Sequence, residues 1–389
     1  MIRIVEPDCR EAPRRLARAG KPVVSTVTAN RHCHPPFVPP TVRAGCSRGV
    51  SARCDTGDLT TNPEATVRLA PLLSSASLVL HAACGGDTSG PDDQPVAIPP
   101  ARSGHAMVYD ASRRVVLMFG GSGAATLGDL WSWNGTRWAR LSTSGPPARD
   151  DAVLVYDATR QRTVLFGGRT GQTLLNDTWE WDGTAWTQKT GPAPEARLHA
   201  VAAFDVQRGV VRIYGGVGAD DVPRTDTWEW TGTAWSRVST VGPADRGSNH
   251  MAYDAGRQRT MALLFRRTAP NADQTYPTDL WEWTGTAWSA VVGAGPTFSP
   301  IQPMVGLGSG GGLLLFDGGV LQGTASTWIW QNVQWSRVST GGPPLRNGHA
   351  LAYDAARNRV VLFGGFRPGQ DFSDTWEWNG TAWSQITPR

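Results

Sequence analysis

Arginine and aspartate recur at fixed spacing along residues 98–389, and both residue types can bind charged groups. Arginine stands seven residues before a recurring aromatic position, at Arg102, Arg149, Arg197, Arg246 and Arg346. A ring of guanidinium groups could hold a carboxylate, sulfate or phosphate through paired hydrogen bonds. Aspartate follows in each of these copies, at Asp129, Asp177, Asp226, Asp279 and Asp374. The copy without an aligned arginine has Ser326 in place of the aspartate. The pattern therefore also fits ion pairs within the chain, and both readings stay open.

Histidine and cysteine give weaker patterns. The histidines of the repeat lie near one strand at offsets that differ by a residue, at His105, His199, His250 and His349. A shift of one residue turns a side chain to the other face of a strand, so we expect neither a metal cluster nor a histidine base. No cysteine follows Cys84, and no Gly-x-Ser-x-Gly, phosphate-loop or HExxH motif occurs. We expect no catalytic residue set, no metal and no cofactor.

Six copies of one pattern, 47 to 53 residues apart, must position these side chains. Each copy has four strand signals. The first ends in an aromatic residue and aspartate, as in Tyr109-Asp110, and the second is an apolar run closed by twin glycines, as in Gly120-Gly121. The third and fourth carry all 18 tryptophans in six triplets. The pattern predicts an all-β fold of six four-stranded blades, with an indole approaching the twin glycines closely.

Turn chemistry predicts how the third and fourth strands pair. Asn134-Gly135 is a strong signal for a two-residue hairpin loop. With that loop, Trp131 would face Trp138 and Trp133 would face Thr136. A position repeated in every blade is more simply packing than a sugar-stacking platform, so we interpret the indoles as structural.

These elements resemble the kelch repeat family, whose blades carry twin glycines after the second strand and a tryptophan in the fourth. The resemblance covers residues 98–389 and implies a β-propeller whose first strands line a channel. Arg266-Arg267 replaces the twin glycines in the fourth copy, and the fifth copy lacks most of its first-strand pattern. Galactose oxidase contains such a propeller, but its copper and Cys-Tyr cross-link would need a cysteine that the repeats lack.

The residues before the repeats have the features of a signal peptide. From Val67 a basic residue, a short apolar run and two alanines precede Cys84. This segment resembles the lipobox of bacterial lipoproteins, although His81 stands where leucine is usual. We predict a disordered or mis-annotated leader at 1–66, a signal peptide at 67–83, lipidation of Cys84, and a flexible linker at 84–97 before the propeller at 98–389. Ordinary secretion and an unprocessed chain are the alternatives.

Charge excludes one class of partner. Residues 1–66 carry 10 basic and 6 acidic residues, whereas residues 101–389 carry 26 and 24. A nearly neutral repeat region gives no electrostatic footprint for nucleic acid. We expect a monomer held at a bacterial cell envelope, at the outer membrane or cell surface, by a lipid anchor only. A secreted or periplasmic protein is the alternative.

Recognition is expected where the copies differ, on the loops between second and third strands. The longest of these loops belongs to the fourth copy and contains Arg266, Arg267 and Tyr276, which join the arginine ring as binding candidates. The leading hypothesis is a non-catalytic module that binds a protein or a glycan at this loop rim. The alternatives are an enzyme acting on an anionic sugar, similar to an epimerase or mutarotase, and a structural spacer.

Overall fold

The computed structural model describes residues 97–243, 249–265, 276–291, 297–298, 302–319 and 325–389. The predicted leader, the signal peptide, Cys84 and nearly all of the linker lie outside these residues. Arg246, Arg266 and Arg267 lie outside them as well. Predictions about these segments therefore stay predictions.

The first three blades contain fourteen strands. Blade 1 consists of β1 (Ala106–Asp110), β2 (Val115–Phe119), β3 (Leu130–Trp133) and β4 (Trp138–Ser142). Blade 2 contains β5 (Val153–Asp157), β6 (Arg162–Phe166), β7 (Arg169–Thr170), β8 (Thr173–Leu174), β9 (Thr178–Trp181) and β10 (Trp186–Lys189). Blade 3 consists of β11 (Val201–Asp205), β12 (Val210–Tyr214), β13 (Thr227–Trp230) and β14 (Trp235–Ser239).

The last three blades repeat this order. Blade 4 consists of β15 (Asn249–Asp254), β16 (Arg259–Phe265), β17 (Thr278–Trp283) and β18 (Trp288–Ala290). Blade 5 consists of β19 (Met304–Gly306), β20 (Leu313–Asp317), β21 (Ser326–Gln331) and β22 (Gln334–Ser339). Blade 6 contains β23 (Ala350–Asp354), β24 (Arg359–Phe363), β25 (Phe366–Arg367), β26 (Gln370–Asp371), β27 (Thr375–Trp378) and β28 (Trp383–Ile386).

Each blade is one antiparallel sheet of four strands in chain order, and β7–β8 and β25–β26 are small hairpins within loops. The first strands contact one another in a circle that returns from β23 to β1. This confirms the predicted all-β, six-bladed propeller. The ring closes without a strand exchanged between blades 1 and 6. The described residues include no helix that could cross a membrane.

Two rims follow from this strand order. The first and third strands begin at one rim, which carries the connections from second to third strands and from blade to blade; we call it the loop rim. The opposite rim carries the short turns within the two hairpins of each blade, and we call it the turn rim. At the turn rim, buried Asp110 accepts a hydrogen bond from the backbone N–H of Arg113 at 3.0 Å, which caps the turn after β1.

Twin glycines bring neighbouring blades together at the loop rim. Gly120 and Gly121 have φ values of 70° and 98°. A Cβ added to Gly120 would lie 2.5 Å from the carbonyl oxygen of Arg149 in the next blade. The expectation that an indole is this close neighbour is wrong, because the backbone of the next blade occupies the space.

The pairing of the third and fourth strands also differs from the prediction. Trp133 pairs with Trp138, and Trp131 pairs with Arg140. Asn134 Oδ1 accepts hydrogen bonds from the backbone N–H groups of Thr136 and Arg137, both at 2.9 Å. These bonds stabilise a turn of residues 134–137, longer than the two-residue loop that Asn-Gly predicts, and the register shifts with it. The three indoles of the blade still share one buried cluster.

Indole N–H groups join each of four blades to the preceding one. Trp138 donates to Thr375 Oγ1 at 2.9 Å, and Trp133 donates to Glu377 Oε1 at 2.9 Å, which closes the ring between blades 1 and 6. The fourth-strand bond recurs in the pairs Trp235–Thr178, Trp288–Thr227 and Trp383–Thr327. The repeated tryptophans are therefore contacts between blades.

Replacement of Trp138 by phenylalanine should cost more stability than the same change at Trp186. Blades 1 and 4 have Leu130 and Leu280 where the other four blades have the threonine, so Trp186 has no acceptor within the described part of the chain. Both variants lose similar packing, but only W138F also loses an interblade hydrogen bond and leaves Thr375 unsatisfied. The difference in the free energy of unfolding should be about 1 kcal/mol by urea titration. Equal losses would contradict the assignment.

Candidate functional site

The four described arginines of the ring are buried and paired with aspartate. Arg102 Nη1 and Nη2 donate to Asp129 Oδ1 and Oδ2 at 2.7 and 3.0 Å. The same bidentate pair forms in three more blades, as Arg149–Asp177, Arg197–Asp226 and Arg346–Asp374. Burial alone would raise the pKa of Asp129, but hydrogen bonds from Arg102 and Trp131 outweigh it and hold the pKa below its ordinary value.

The remaining donors of each guanidinium are also used within the chain. Arg102 Nε donates to the carbonyl of Pro100 at 3.1 Å, and Nη1 donates to the carbonyl of Gly120 at 2.9 Å. The Arg102 side chain is 0% exposed. This geometry favours structural pairing over ligand contact for the four described arginines.

Tyr276 is the one binding candidate of the blade 4 loop within the described residues. Its backbone pairs with Phe298 through two hydrogen bonds of 2.9 and 3.1 Å. Its half-buried side chain packs against the core cluster between blades 4 and 5.

In blade 5, Ser326 Oγ accepts the indole hydrogen bond of Trp328 at 2.9 Å, the role that aspartate has in other blades.

The central channel opens at the loop rim into a cavity of about 190 Å³. Its walls come from the segments where the first strands of blades 1, 2, 3, 4 and 6 begin. The residues that line it include His105, Asp151, His199, His250, Gly348 and His349. We call this cavity the loop-rim mouth.

Backbone hydrogen bonds surround part of the loop-rim mouth. Gly104 N–H donates to the carbonyl of Gly348 at 3.0 Å, and Asp151 N–H donates to the carbonyl of Gly104 at 2.9 Å. Gly104, Asp151 and Gly348 each lie two positions after the ring arginine of their own blade, and their φ values are 63°, 55° and 60°. His199 takes this position in blade 3 with a φ of 57°. Glycine adopts this conformation freely, whereas other residues adopt it at a cost of about 1 kcal/mol. Two blades thus place strained, ionisable residues at the mouth.

A cluster of charges connects these two residues to a loop. His199 Nε2 lies 3.3 Å from Asp151 Oδ2. Arg169, which begins the hairpin β7–β8, lies 2.8 Å from Asp150 and 3.4 Å from Asp151. Burial opposes ionisation of Asp151, but His199 and Arg169 hold its pKa below the ordinary value. Burial raises the pKa of Asp150, against the effect of Arg169.

Three further imidazoles stay uncharged at the mouth. Burial lowers the pKa of both His105 and His250 to about 3, and Arg102 adds to the shift of His105. Burial also lowers the pKa of His349 well below its ordinary value. The ring nitrogens of His105 and His349 are buried, and the two imidazoles lie beside the backbone of the preceding blade, at Phe363 and Phe316 respectively. Each neutral imidazole can both donate and accept.

The expectation that these histidines lie on different faces is wrong, because all four line one cavity. His199 occupies the left-handed position before β11, whereas His250 lies within β15. The blades converge at the axis, so a shift of one residue does not remove a side chain from the mouth. Within the described ranges, no group of three or more His, Cys, Asp or Glu residues is arranged to hold a metal ion. The missed signal was a non-glycine residue at a position where other copies have glycine.

The channel opens at the turn rim into a second cavity of about 360 Å³, lined by apolar residues and the recurring tyrosines. Tyr156 Oη accepts a hydrogen bond from the backbone N–H of Ser112 in the preceding blade at 3.2 Å. This repeated tyrosine therefore joins blades.

Removal of one ring arginine should destabilise the propeller strongly. Arg149→Met leaves the Asp177 carboxylate buried without its partner, and we expect a loss of about 3 to 5 kcal/mol in the free energy of unfolding. Exposed Arg137→Ala is the control and should stay within about 0.5 kcal/mol of the parent. Urea titration measures both. A loss below about 1 kcal/mol for Arg149→Met would contradict structural pairing.

The buried imidazoles predict that stability falls as pH drops below 6.5, the ordinary histidine pKa. The unfolded chain then takes up protons that the folded chain excludes, so the free energy of unfolding decreases by about 1.4 kcal/mol per pH unit for each such histidine. Urea titrations between about pH 7.5 and 4.5 should show this slope. His105→Gln should reduce it by about one proton and leave stability above pH 7 with less change. An unchanged slope would mean that His105 is protonated in the folded state.

Comparisons with known proteins agree with this architecture. The family model described as "KLHDC2/KLHL20/DRC7 Kelch-repeats domain" matches residues 91–264. A search of curated proteins finds no match. The solved "Structure of YjhT" aligns with a TM-score of 0.54 and 13% identity, over 75% of this chain and 99% of that one. At this identity the likeness shows the fold alone. The repeat region is therefore a six-bladed β-propeller, and its first half is similar in sequence to kelch-repeat domains.

Proposed function

We propose that the propeller is a binding module whose loop-rim mouth takes one uncharged sugar residue of a glycan. The kelch fold is compatible with binding and with catalysis, so the site itself carries the proposal. The observation that carries it is the convergence of four imidazoles and the Asp151 carboxylate on one cavity. Anchoring through Cys84 to a bacterial envelope and a protein partner at this rim remain proposals that rest on the sequence.

The chemistry of the mouth fits hydroxyl groups. A sugar hydroxyl donates one hydrogen bond and accepts others, and a neutral imidazole complements it in both directions. His199 and Asp151, with side chains 33% and 16% exposed, are the groups that a hydroxyl in the mouth reaches directly, whereas the ring nitrogens of His105 and His349 are buried. The mouth therefore favours a ligand rich in hydroxyl groups.

The charges of the mouth favour a neutral ligand over an anionic one. Asp151 brings a carboxylate to the mouth, Asp150 lies next to it in the chain, and Arg169 is paired with both of them. The guanidinium groups that could have attracted an anion are held in ion pairs inside the blades. An anionic sugar would thus meet carboxylates before any free cation of the described mouth.

Size sets the expected affinity. A volume of about 190 Å³ equals roughly six waters at about 30 Å³ each, which suits one sugar ring. Twelve or so heavy atoms at roughly 0.3 kcal/mol each give a dissociation constant in the millimolar range. Ligand-observed NMR on the full chain detects binding of this strength, with D-galactose and N-acetylglucosamine as neutral probes and D-glucuronate as the anionic probe.

Replacement of Asp151 or His199 by glycine should weaken binding without loss of stability. Asp151→Gly and His199→Gly introduce the residue that blades 1 and 6 have at this left-handed position, so the free energy of unfolding should change by less than about 1 kcal/mol. Each variant removes polar contacts to the sugar, and we expect affinity to fall at least about tenfold.

Asp221 provides the matched control. It is exposed, has a φ of 56°, and lies on a loop of blade 3 outside the mouth. Asp221→Gly should therefore change stability similarly and leave sugar binding intact. Equal binding by the parent, Asp151→Gly and His199→Gly would overturn the proposal. Tighter binding of glucuronate than of the neutral sugars would also contradict it.

The pair of His199 and Asp151 supports a second candidate function, acid–base catalysis on the bound sugar. A carboxylate 3.3 Å from an imidazole orients the ring for proton transfer. His199 takes the proton of an anomeric hydroxyl while the bond from the anomeric carbon to the ring oxygen breaks, water protonates that oxygen, and the imidazolium returns its proton to the hydroxide that remains. Exchange NMR of sugar anomers tests this function. His199→Gln should then still bind the sugar but no longer accelerate the exchange between its anomers. A parent protein that does not accelerate this exchange would contradict the catalytic function and leave the binding function unaffected.

A further inference from the structure

A hairpin of blade 6 lies beside the loop-rim mouth and carries an exposed aromatic ring. Phe366 begins the hairpin β25–β26 and is 38% exposed. Every other aromatic side chain of the described residues is buried or half-buried. Phe366 also belongs to a loop between second and third strands, where the copies of the repeat differ most. An exposed phenyl ring at the edge of a polar cavity offers a flat apolar surface to a ligand.

The backbone fixes Phe366 next to the mouth. Phe366 and Asn347 exchange two backbone hydrogen bonds of 2.8 and 2.7 Å. Asn347 directly precedes Gly348, which lines the mouth. The same bridge forms in the first three blades, as Ser103–Ser122, Asp150–Arg169 and Leu198–Val217. Each of these four blades therefore sets one loop residue beside the mouth, and its identity differs from blade to blade.

Glycine at position 348 lets the phenyl ring lie against the wall of the mouth. A Cβ added to Gly348 would lie 3.4 Å from Cε1 of Phe366 and 3.2 Å from Cβ of Ser103. A methyl group there would press on both neighbours, so the absence of a side chain permits this close packing. Gly348 is buried by it, whereas Phe366 keeps part of its ring in solvent. The exposed aromatic surface therefore begins where the wall of the mouth ends.

Small residues of blade 1 separate Phe366 from the polar residues of the mouth. Ser103 and Gly104 are half-buried, and a Cβ added to Gly104 would lie 3.0 Å from Asp151 Oδ1. The loop after the twin glycines of blade 1 begins with four small residues, a serine, a glycine and two alanines at 122–125. A ligand in the mouth can therefore extend over blade 1 toward the phenyl ring.

We propose that the loop rim binds two consecutive sugar residues of a neutral glycan, one in the mouth and the next against the ring of Phe366. This inference rests on the proposed function, because the first sugar residue must occupy the mouth. The C–H face of a sugar ring is apolar and packs against an aromatic ring. The hydroxyl group of Ser103, which lies beside Phe366, can bind a hydroxyl group of the second sugar residue. The preferred ligand is therefore an oligosaccharide rather than a free monosaccharide.

Ligand-observed NMR on the full chain with matched sugars tests this second subsite. The probes are N-acetylglucosamine with N,N′-diacetylchitobiose, and D-galactose with lactose. We expect one of the disaccharides to bind about tenfold more tightly than its monosaccharide, as expected for one aromatic contact and one hydrogen bond. Phe366→Ala should remove this advantage and leave the affinity for the monosaccharide unchanged. Phe366→Tyr keeps the aromatic ring and should keep the advantage.

Gln370→Ala is the matched control on the same hairpin. Gln370 Oε1 accepts a hydrogen bond from Arg367 Nε at 2.9 Å, and both side chains are exposed. The variant removes a contact within the hairpin but keeps Phe366, so the disaccharide should retain its advantage. A loss of the advantage in Gln370→Ala would mean that the fold of the hairpin, and not the phenyl ring, determines binding.

Fluorine NMR of the full chain labelled with 4-fluorophenylalanine reports the contact itself. The resonance of Phe366 is assigned by its absence in Phe366→Tyr. It should shift with the disaccharide and much less with the monosaccharide. The other phenylalanine resonances show that each variant is folded.

Disaccharides that bind no more tightly than their monosaccharides would overturn this inference, and so would an advantage that survives Phe366→Ala. The proposed function stands in both cases if Asp151→Gly still weakens binding of the monosaccharide. Failure of the full chain to bind all four sugars would instead contradict the proposed function, and this inference with it.

Discussion

The buried pair of ring arginine and aspartate is the interaction on which the rest of the propeller depends. The side chain of Arg149 joins the segment before the first strand of blade 2 to Asp177 at the start of the third strand. Its backbone carbonyl accepts a hydrogen bond from Gly121 of blade 1 at 2.9 Å. One residue thus fixes the inside of its own blade and the distance to the preceding blade. The same carbonyl contact recurs between Gly168 and Arg197, and between Gly365 and Arg102.

This constraint also positions the candidate site. The residue two places after each ring arginine is brought to the channel axis, where the backbone must take a left-handed conformation. Blades 1 and 6 have glycine there, whereas blades 2 and 3 have Asp151 and His199. The repeated scaffold therefore brings Asp151 and His199 together at the loop-rim mouth.

The sequence predicted the fold well because each of its features is local and repeated. Strand order, blade number and arginine–aspartate pairing follow from residues with fixed spacing. The pairing of Trp133 with Trp138 was not predictable from Asn134-Gly135, because the turn adopts a longer form stabilised by the asparagine side chain. The convergence of the histidines was missed because strand alternation says which face a residue takes, not how closely blades approach at an axis. The exceptions at Asp151 and His199 are visible in the sequence only once the copies are aligned on structure.

The central claim is that repeated residues hold the blades together and that a ligand binds where the copies differ. Side-chain NMR of the full chain, with ¹⁵N in histidine and arginine, tests it most directly. On addition of N-acetylglucosamine, the account predicts shifts of the imidazole resonances of the loop-rim mouth and none of the guanidinium Nε resonances of Arg102, Arg149, Arg197 and Arg346. Guanidinium shifts with unchanged imidazole resonances would contradict it.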